Sequence, residues 1–260
     1  MSTFCLATVN VHSFRTRNFD SNISDLVLIL EPLKLDFIAV QEIQNDDKWQ
    51  KFCKRLSLPY FIYGSCNEDP FGNGIASRYP IISYSNKASS FSCSGGTRSL
   101  LQCRLDGGHR FLTDRIFAVT HLDHLNEDDR LNQIKEFNPY QQNIDIIMGD
   151  MNSLTRDDYS DNYYQDKIVE IRKKSIWEEP RFDLTNLIRH EWNYDDAFRL
   201  INPTLKNEEV STYYYGTRID YIYLRPRKND PWILTKCSII DTKGATDHNA
   251  VFAEFKQKAC

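Results

Sequence analysis

The chain of 260 residues is long enough for one large domain, or two small ones, with a substantial core. Its 41% hydrophobic and 26% charged residues are those of a folded globular protein and exclude disorder over long stretches. A net charge of -4 and a pI near 5.9 exclude a bulk positive field, so any polyanion must be held by local basic groups or by bound metal.

Phe4 to Val9 reads as a strand with no basic flank or long apolar stretch before it, so neither a signal peptide nor a transmembrane span is expected. After Asn10-Val11-His12-Ser13, Leu26, Ile29, Leu30 and Leu33 recur at helical spacing over about Ser21 to Leu33, and Pro32 limits that helix. Asp36 to Val40 is a second buried strand, ending in Gln41-Glu42. A helix over Asp46 to Leu56 and a strand over Tyr60 to Gly64 follow. The glycines of Gly72-Asn73-Gly74 have neither dinucleotide-loop nor P-loop spacing, so the stretch reads as a strand with a turn at Tyr79-Pro80.

Strands are expected at Ile81 to Asn86, Ser99 to Leu105 and Ile116 to Thr120, the first with the alternation of a half-solvated antiparallel strand. The third runs into His121-Leu122-Asp123-His124 and a polar helix reaching about Tyr140. On an extended segment His121 and His124 would face opposite sides, which disfavours a zinc pair. Ile144 to Met148 is a β-branched run suited to a strand buried on both faces, and Gly149-Asp150-Met151-Asn152 ends it. If strand geometry persists, Asp150 and Asn152 point the same way; the competing reading is a turn in which both bond their own backbone.

Thr155 to Arg199 is charged and aromatic, with helices expected near Asp161 to Lys174 and Phe182 to Glu191. It reads as an insertion over the active face, and Arg172-Lys173-Lys174 as a solvated helix face. Tyr213-Tyr214-Tyr215 reads as sheet packing in preference to a base-stacking platform. Strands at Arg218 to Leu224, Ile233 to Ile240 and Ala250 to Phe255 complete the chain, with Thr246-Asp247-His248-Asn249 before the last. Seven scattered cysteines without a C-x-x-C pair argue against a disulfide framework and for a reducing, intracellular compartment, cytoplasmic or nuclear. Cys260 lacks the three residues that a prenylation box needs after it, so no membrane anchor is expected, and no protein partner is predicted.

These elements predict an α/β fold in which two mostly antiparallel sheets pack face to face between helices. Asn10, Glu42, His121, Asp150, Asn152, Asp220, Asp247 and His248 then fall at segment ends. Carboxylates and amides without cysteine suit Mg2+, with Mn2+ as substitute, and a histidine oriented by a carboxylate can exchange a proton near neutral pH. Together they suit metal-assisted phosphoester hydrolysis.

Asn10 after a strand, Gln41-Glu42, Gly74-Ile75-Ala76-Ser77-Arg78, Thr120-His121-Leu122-Asp123, Gly149-Asp150-Met151-Asn152, Arg218-Ile219-Asp220-Tyr221 and Thr246-Asp247-His248 occur in this order. In that series the chain resembles the endonuclease/exonuclease/phosphatase superfamily, whose fold is a four-layer α/β sandwich. The resemblance implies a single such domain over residues 1–260, with the helical insertion around 155–199. It implies Glu42 as main metal ligand, with Asn10 and Asp247 in the metal shell. Asp150 would orient or deprotonate water, Asn152 would hold a phosphate oxygen, and His248, paired with Asp220, would contact the scissile phosphate. His121 would be a second phosphate-contacting imidazole and Arg98 a phosphate-binding group.

Relatives that cut at abasic sites lack a histidine at the position of His121. The five-prime tyrosyl-DNA phosphodiesterases carry Thr-Trp-Asn and a tryptophan after the last Asp-His, where this chain has Thr8-Val9-Asn10 and Asn249. Deadenylases and inositol phosphatases usually carry longer or different substrate loops. The resemblance therefore implies a Mg2+/Mn2+-dependent phosphodiesterase acting on nucleic acid, as endonuclease or exonuclease. The alternatives are a phosphatase or sphingomyelinase-like phospholipid hydrolase and, from another class, a non-catalytic nucleic-acid-binding member of the fold.

Overall fold

A computed structural model describes residues 2–16, 18–66, 69–90 and 93–258. Cys260 lies outside the described residues, and the six described cysteines are all free. One six-stranded sheet has the order β11-β12-β1-β2-β4-β3, built from β1 (Thr3–Asn10), β2 (Phe37–Ile43), β3 (Tyr60–Cys66), β4 (Asp69–Ser77), β11 (Trp232–Ile240) and β12 (Ala250–Gln257). The second has the order β5-β6-β7-β8-β10-β9, from β5 (Ile81–Ala88), β6 (Ser99–Leu105), β7 (Ile116–His121), β8 (Ile146–Asp150), β9 (Asp195–Asp196) and β10 (Asp220–Leu224).

The apolar residues explain why these layers stack. Along β1, Phe4 and Leu6 enter the core between the sheets, whereas Ala7 and Val9 join an outer core with α1 (Ile23–Leu30) and α2 (Asp47–Arg55). Along β7 and β8, Phe117, Val119, Ile146 and Met148 face inward, while Ala118 and Ile147 pack outward with Ile134 and Phe137 of α3 (Glu127–Phe137). A period-2 strand whose faces are both covered has no polar side to keep, hence the continuous apolar runs. Helix, sheet, sheet, helix is the expected four-layer α/β sandwich.

Each sheet contains one parallel pair, β1 with β2 and β7 with β8. Parallel neighbours need a crossover, which α1 and α3 respectively supply. The predicted helix over Ser21 to Leu33 is α-helical only over Ile23–Leu30 and tightens to a 3-10 turn at Glu31–Leu33, where Pro32 lacks the amide to continue it. β5 departs from expectation: it is an edge strand whose residues Ile82 to Lys87 are exposed on both faces, not half-solvated. Asp161–Tyr163, Tyr164–Val169 and Glu170–Lys174 form one helical run with a π-helical middle. Among the described residues no helix is long and apolar enough to cross a membrane.

A buried charge cluster fastens the segment after β8 to the second sheet. The Arg218 guanidinium donates to Asp158 at 2.7 Å and to Asp196 at 2.6 Å. The two carboxylates pull the guanidinium pKa further up, against the effect of burial.

Candidate active site

Each sheet delivers part of one cluster at its strand ends. In the first, Asn10 closes β1 beside Gln41 of β2, and β2 bulges just after. Val40 pairs with Gly74 and Ile43 with Gly72, so β2 carries one extra residue against β4. Within that bulge Glu42 has φ 58, a left-handed conformation that re-aims its carboxylate.

In the second sheet, His121, Asp150 and Asp220 are register partners across β7, β8 and β10. Gly149, at φ 135, permits this: a Cβ there would lie 2.0 Å from the Thr120 carbonyl oxygen. The strand stops at Asp150. Asn152 is left-handed at φ 49 and its N–H donates to Asp150 Oδ1 at 2.9 Å, so the competing turn reading holds in place of persistent strand geometry. Asn152 Nδ2 donates to the Leu122 carbonyl at 3.1 Å, and the residue still faces the site cavity.

Asp150 Oδ2 is the meeting point. Asn10 Nδ2 lies 3.2 Å from it, His121 Nε2 3.5 Å and His248 Nε2 3.7 Å. The same Asn10 nitrogen donates to Glu42 Oε1 at 2.9 Å, and Asn10 Oδ1 accepts the His12 N–H at 3.0 Å. His12 Nδ1 stands between Glu42 Oε2, 3.6 Å away, and Asp247 Oδ1, 3.7 Å away. His248 Nδ1 meets Asp220 Oδ2 at 2.9 Å, with the Tyr213 ring 4.8 Å from the imidazole. The Thr246 hydroxyl donates to the Asn10 carbonyl, tying the last loop to the first strand.

Burial would lower the basicity of His248, but the Asp220 and Asp150 carboxylates push its pKa up to about 10. Burial and the neighbouring Asp220 charge raise Asp150. Burial and the Arg98 guanidinium hold His121 well below the usual imidazole range. Glu42 is pushed up by burial, yet hydrogen bonds from His12 and Asn10 and the nearby imidazoles bring it well below the carboxylate range.

Glu42, Asp150, Asp220 and Asp247 thus converge, and among the described residues none of them has a Lys or Arg salt-bridge partner; the basic groups that pair with them are imidazoles. Asp150, Asp220 and His248 present ligand atoms within 4.8 Å of one another, and Asp220 Oδ1 is buried without a hydrogen-bond partner among the described residues. Surplus negative charge on hard oxygen donors, with no cysteine in the set, fits a divalent cation of the Mg2+ or Mn2+ type.

A cavity of about 660 Å³ opens from these groups. Arg98 lines it, buried, with Nη2 3.1 Å from His124 Nδ1 and Nε without a partner among the described residues. His121 and His124 line this one cavity, contrary to the opposed faces predicted, because the chain leaves extended geometry after His121. The tyrosine run is not sheet packing: Tyr213 makes only isolated bridges, to Thr217 and His248, and Tyr213 and Tyr215 line the cavity. Arg172, expected on a solvated face, turns into the cavity wall and donates to the Glu178 carbonyl. Sequence reasoning did not single out His12, although it lies two residues beyond Asn10.

The family model described as Endonuclease/Exonuclease/phosphatase family matches residues 7–248. No curated protein sequence matches the chain. Among solved structures, an endonuclease/exonuclease/phosphatase from Beutenbergia cavernae superposes with TM-score 0.72 at 15% identity, covering 99% of this chain and 72% of that one. D. rerio TDP2 complexed with single strand DNA product gives TM-score 0.65 at 17% identity, covering 99% and 100%. The Bacteroides thetaiotaomicron mannosyl-6-phosphatase Bt3783 gives 0.64 at 13%, covering 97% and 99%. At these identities the likeness is one of fold.

Proposed function

The chain belongs to the Endonuclease/Exonuclease/phosphatase family, whose members are generally hydrolases of phosphoester bonds, and from that premise we propose that it is a Mg2+- or Mn2+-dependent phosphodiesterase acting on nucleic acid. The observation that carries this reading is the position of Asp150 Oδ2, within 3.7 Å of donors from three separate segments. Residues 1–260 would act as a single domain, with 155–199 as a helical insertion that walls the cavity.

Glu42 and Asp247, with Asn10 aligning the Glu42 carboxylate, would hold the cation. When bound, it neutralises phosphoryl charge and steadies the leaving oxygen. The protein's own groups do the rest. Asp150 orients the attacking water and takes its proton. Its Oδ1 is engaged by the Asn152 N–H, and Oδ2 is the oxygen gathered among Asn10, His121 and His248 where Asp150 lines the cavity. His248 is fixed by Asp220 through Nδ1, so its protonated Nε2 is the edge turned to a phosphate, where it offsets negative charge and can protonate the departing oxygen. His121, kept neutral, and Arg98 supply further phosphate contacts, with the remaining amide hydrogen of Asn152. Attack in line with the leaving group follows from water and leaving oxygen lying on opposite sides of the phosphorus.

A second reading has its own support: a cavity of this size would also admit a small phosphomonoester, and one structural neighbour is a mannosyl-6-phosphatase. A panel of DNA, RNA, sphingomyelin, inositol phosphates and sugar phosphates with Mg2+ or Mn2+, and with EDTA as control, separates the two. Turnover confined to DNA or RNA diesters supports the proposal. Turnover confined to monoesters or sphingomyelin overturns it in favour of a phosphatase or phospholipid hydrolase, and binding without turnover points to a non-catalytic member of the fold.

A further inference from the structure

The cavity has two unlike walls. One is the polar cluster described above; the other is apolar and comes largely from the insertion, through Ile168, Ile171, Ile176 and Trp177, with Tyr215 against Trp177. At its mouth Ile176 is 94% and Trp177 42% exposed, an arrangement that leaves apolar surface in water unless a ligand covers it. Trp177 meets Tyr215 nearly at right angles with ring centroids 4.9 Å apart, so two aromatic side chains from different segments converge there. No step of phosphoester hydrolysis uses this wall.

Three ligand classes differ in what they would require of it. An acyl chain needs an uninterrupted apolar surface, whereas Lys167, Arg172 and Glu178 interrupt this one with hydrogen-bonding groups. A duplex needs a strongly basic surface that tracks two backbones, and the chain carries a net charge of -4. A planar heterocycle wants aromatic rings to stack on and a few polar groups for its edge, within a volume typical of small-ligand sites. Only the third matches.

Resting on the phosphodiesterase reading, we propose that the wall formed by Trp177, Tyr215 and the insertion seats one unpaired nucleobase whose sugar carries the scissile phosphate. The enzyme accordingly selects nucleotide esters and single strands over duplex. Trp177 and Tyr215 are binding residues for that base, and the insertion sets specificity.

The test compares a labelled single-stranded oligonucleotide with an oligomer of equal length whose sugars are abasic, both with Mg2+. Wild-type protein should cleave the base-bearing strand with a kcat/KM about tenfold or more above the abasic one, the scale of one lost base stack. Trp177→Ala and Tyr215→Ala should each shrink that ratio, and Trp177→Phe should retain it. Direct binding gives a second readout: thymidine 5'-monophosphate should quench tryptophan fluorescence in wild type, where ribose 5-phosphate does not, and Trp177→Phe should lose the quench. Equal cleavage of both oligomers, or a ratio unmoved by Trp177→Ala, overturns the base pocket while leaving a phosphodiesterase. Cleavage of neither overturns the phosphodiesterase reading as well.

Discussion

Asp220 and His248 are joined through Oδ2 and Nδ1 at 2.9 Å, and both are buried, so a carboxylate on one strand fixes which imidazole nitrogen is left to face Asp150. Asp220→Asn preserves shape but removes the charge that holds the proton on Nδ1. Turnover should fall by about a hundredfold or more, with an unchanged circular dichroism spectrum. A folded variant with near wild-type kcat would show that the pair is structural.

Glu42→Gln and Asp150→Asn should each lower kcat by about a hundredfold or more without unfolding the protein, since each replaces a charged oxygen by a neutral amide of the same shape. EDTA should abolish wild-type activity, and added Mg2+ should restore it. Calorimetric titration with Mg2+ adds a readout independent of turnover: affinity should drop in Glu42→Gln. Activity that survives EDTA would sink the metal assignment.

Gly149→Ala tests the backbone beneath the site. The methyl would meet the Thr120 carbonyl, and φ 135 is closed to alanine, so the cost should be about 2 kcal/mol or more in urea unfolding. A variant as stable as wild type would mean that β7 and β8 can separate at this point.

Arg218→Met leaves Asp196 buried without its guanidinium partner and Asp158 with Arg199 alone, which should cost about 3–5 kcal/mol near neutral pH. The pH dependence has a definite sign. Burial opposes ionisation of Asp196, but Arg218 brings its pKa below the ordinary 3.8, so wild type gains stability above that value and loses it as pH falls through the folded pKa. Without Arg218, burial raises the same carboxyl instead. The penalty should therefore shrink as pH falls toward 4, which urea titrations at several pH values would reveal; a penalty constant with pH would argue against an electrostatic origin.

Much of the fold was legible because strands covered on both faces must be continuously apolar: Phe4 to Val9 and Ile144 to Met148 announced themselves. β5 misled because alternation records residue type, whereas exposure depends on position at a sheet edge. At the site, the residues at strand ends could be named, but their aim could not. The bulge that turns Glu42 depends on pairing with Gly72 and Gly74 in β4, and His12 arrives through left-handed residues 12–14 that no periodicity encodes. Tyr213 to Tyr215 look like a strand by composition, yet Gly216, at φ 81, turns the chain, with the Tyr213 ring beside His248.

His121, Asp150 and Asp220 occupy a single row across β7, β8 and β10, and that row constrains more than chemistry. Gaining or losing one residue within β8 would rotate Asp150 to the opposite face, so strand length is as inflexible as residue identity. Change in length has to be absorbed elsewhere, and the helical segment after β8, whose Asp158 and Asp196 are held by Arg218 at either end, lies outside the row and can take it up. Lineages or designs that alter what the molecule accepts can do so by rewriting that segment, leaving the hydrolytic row untouched.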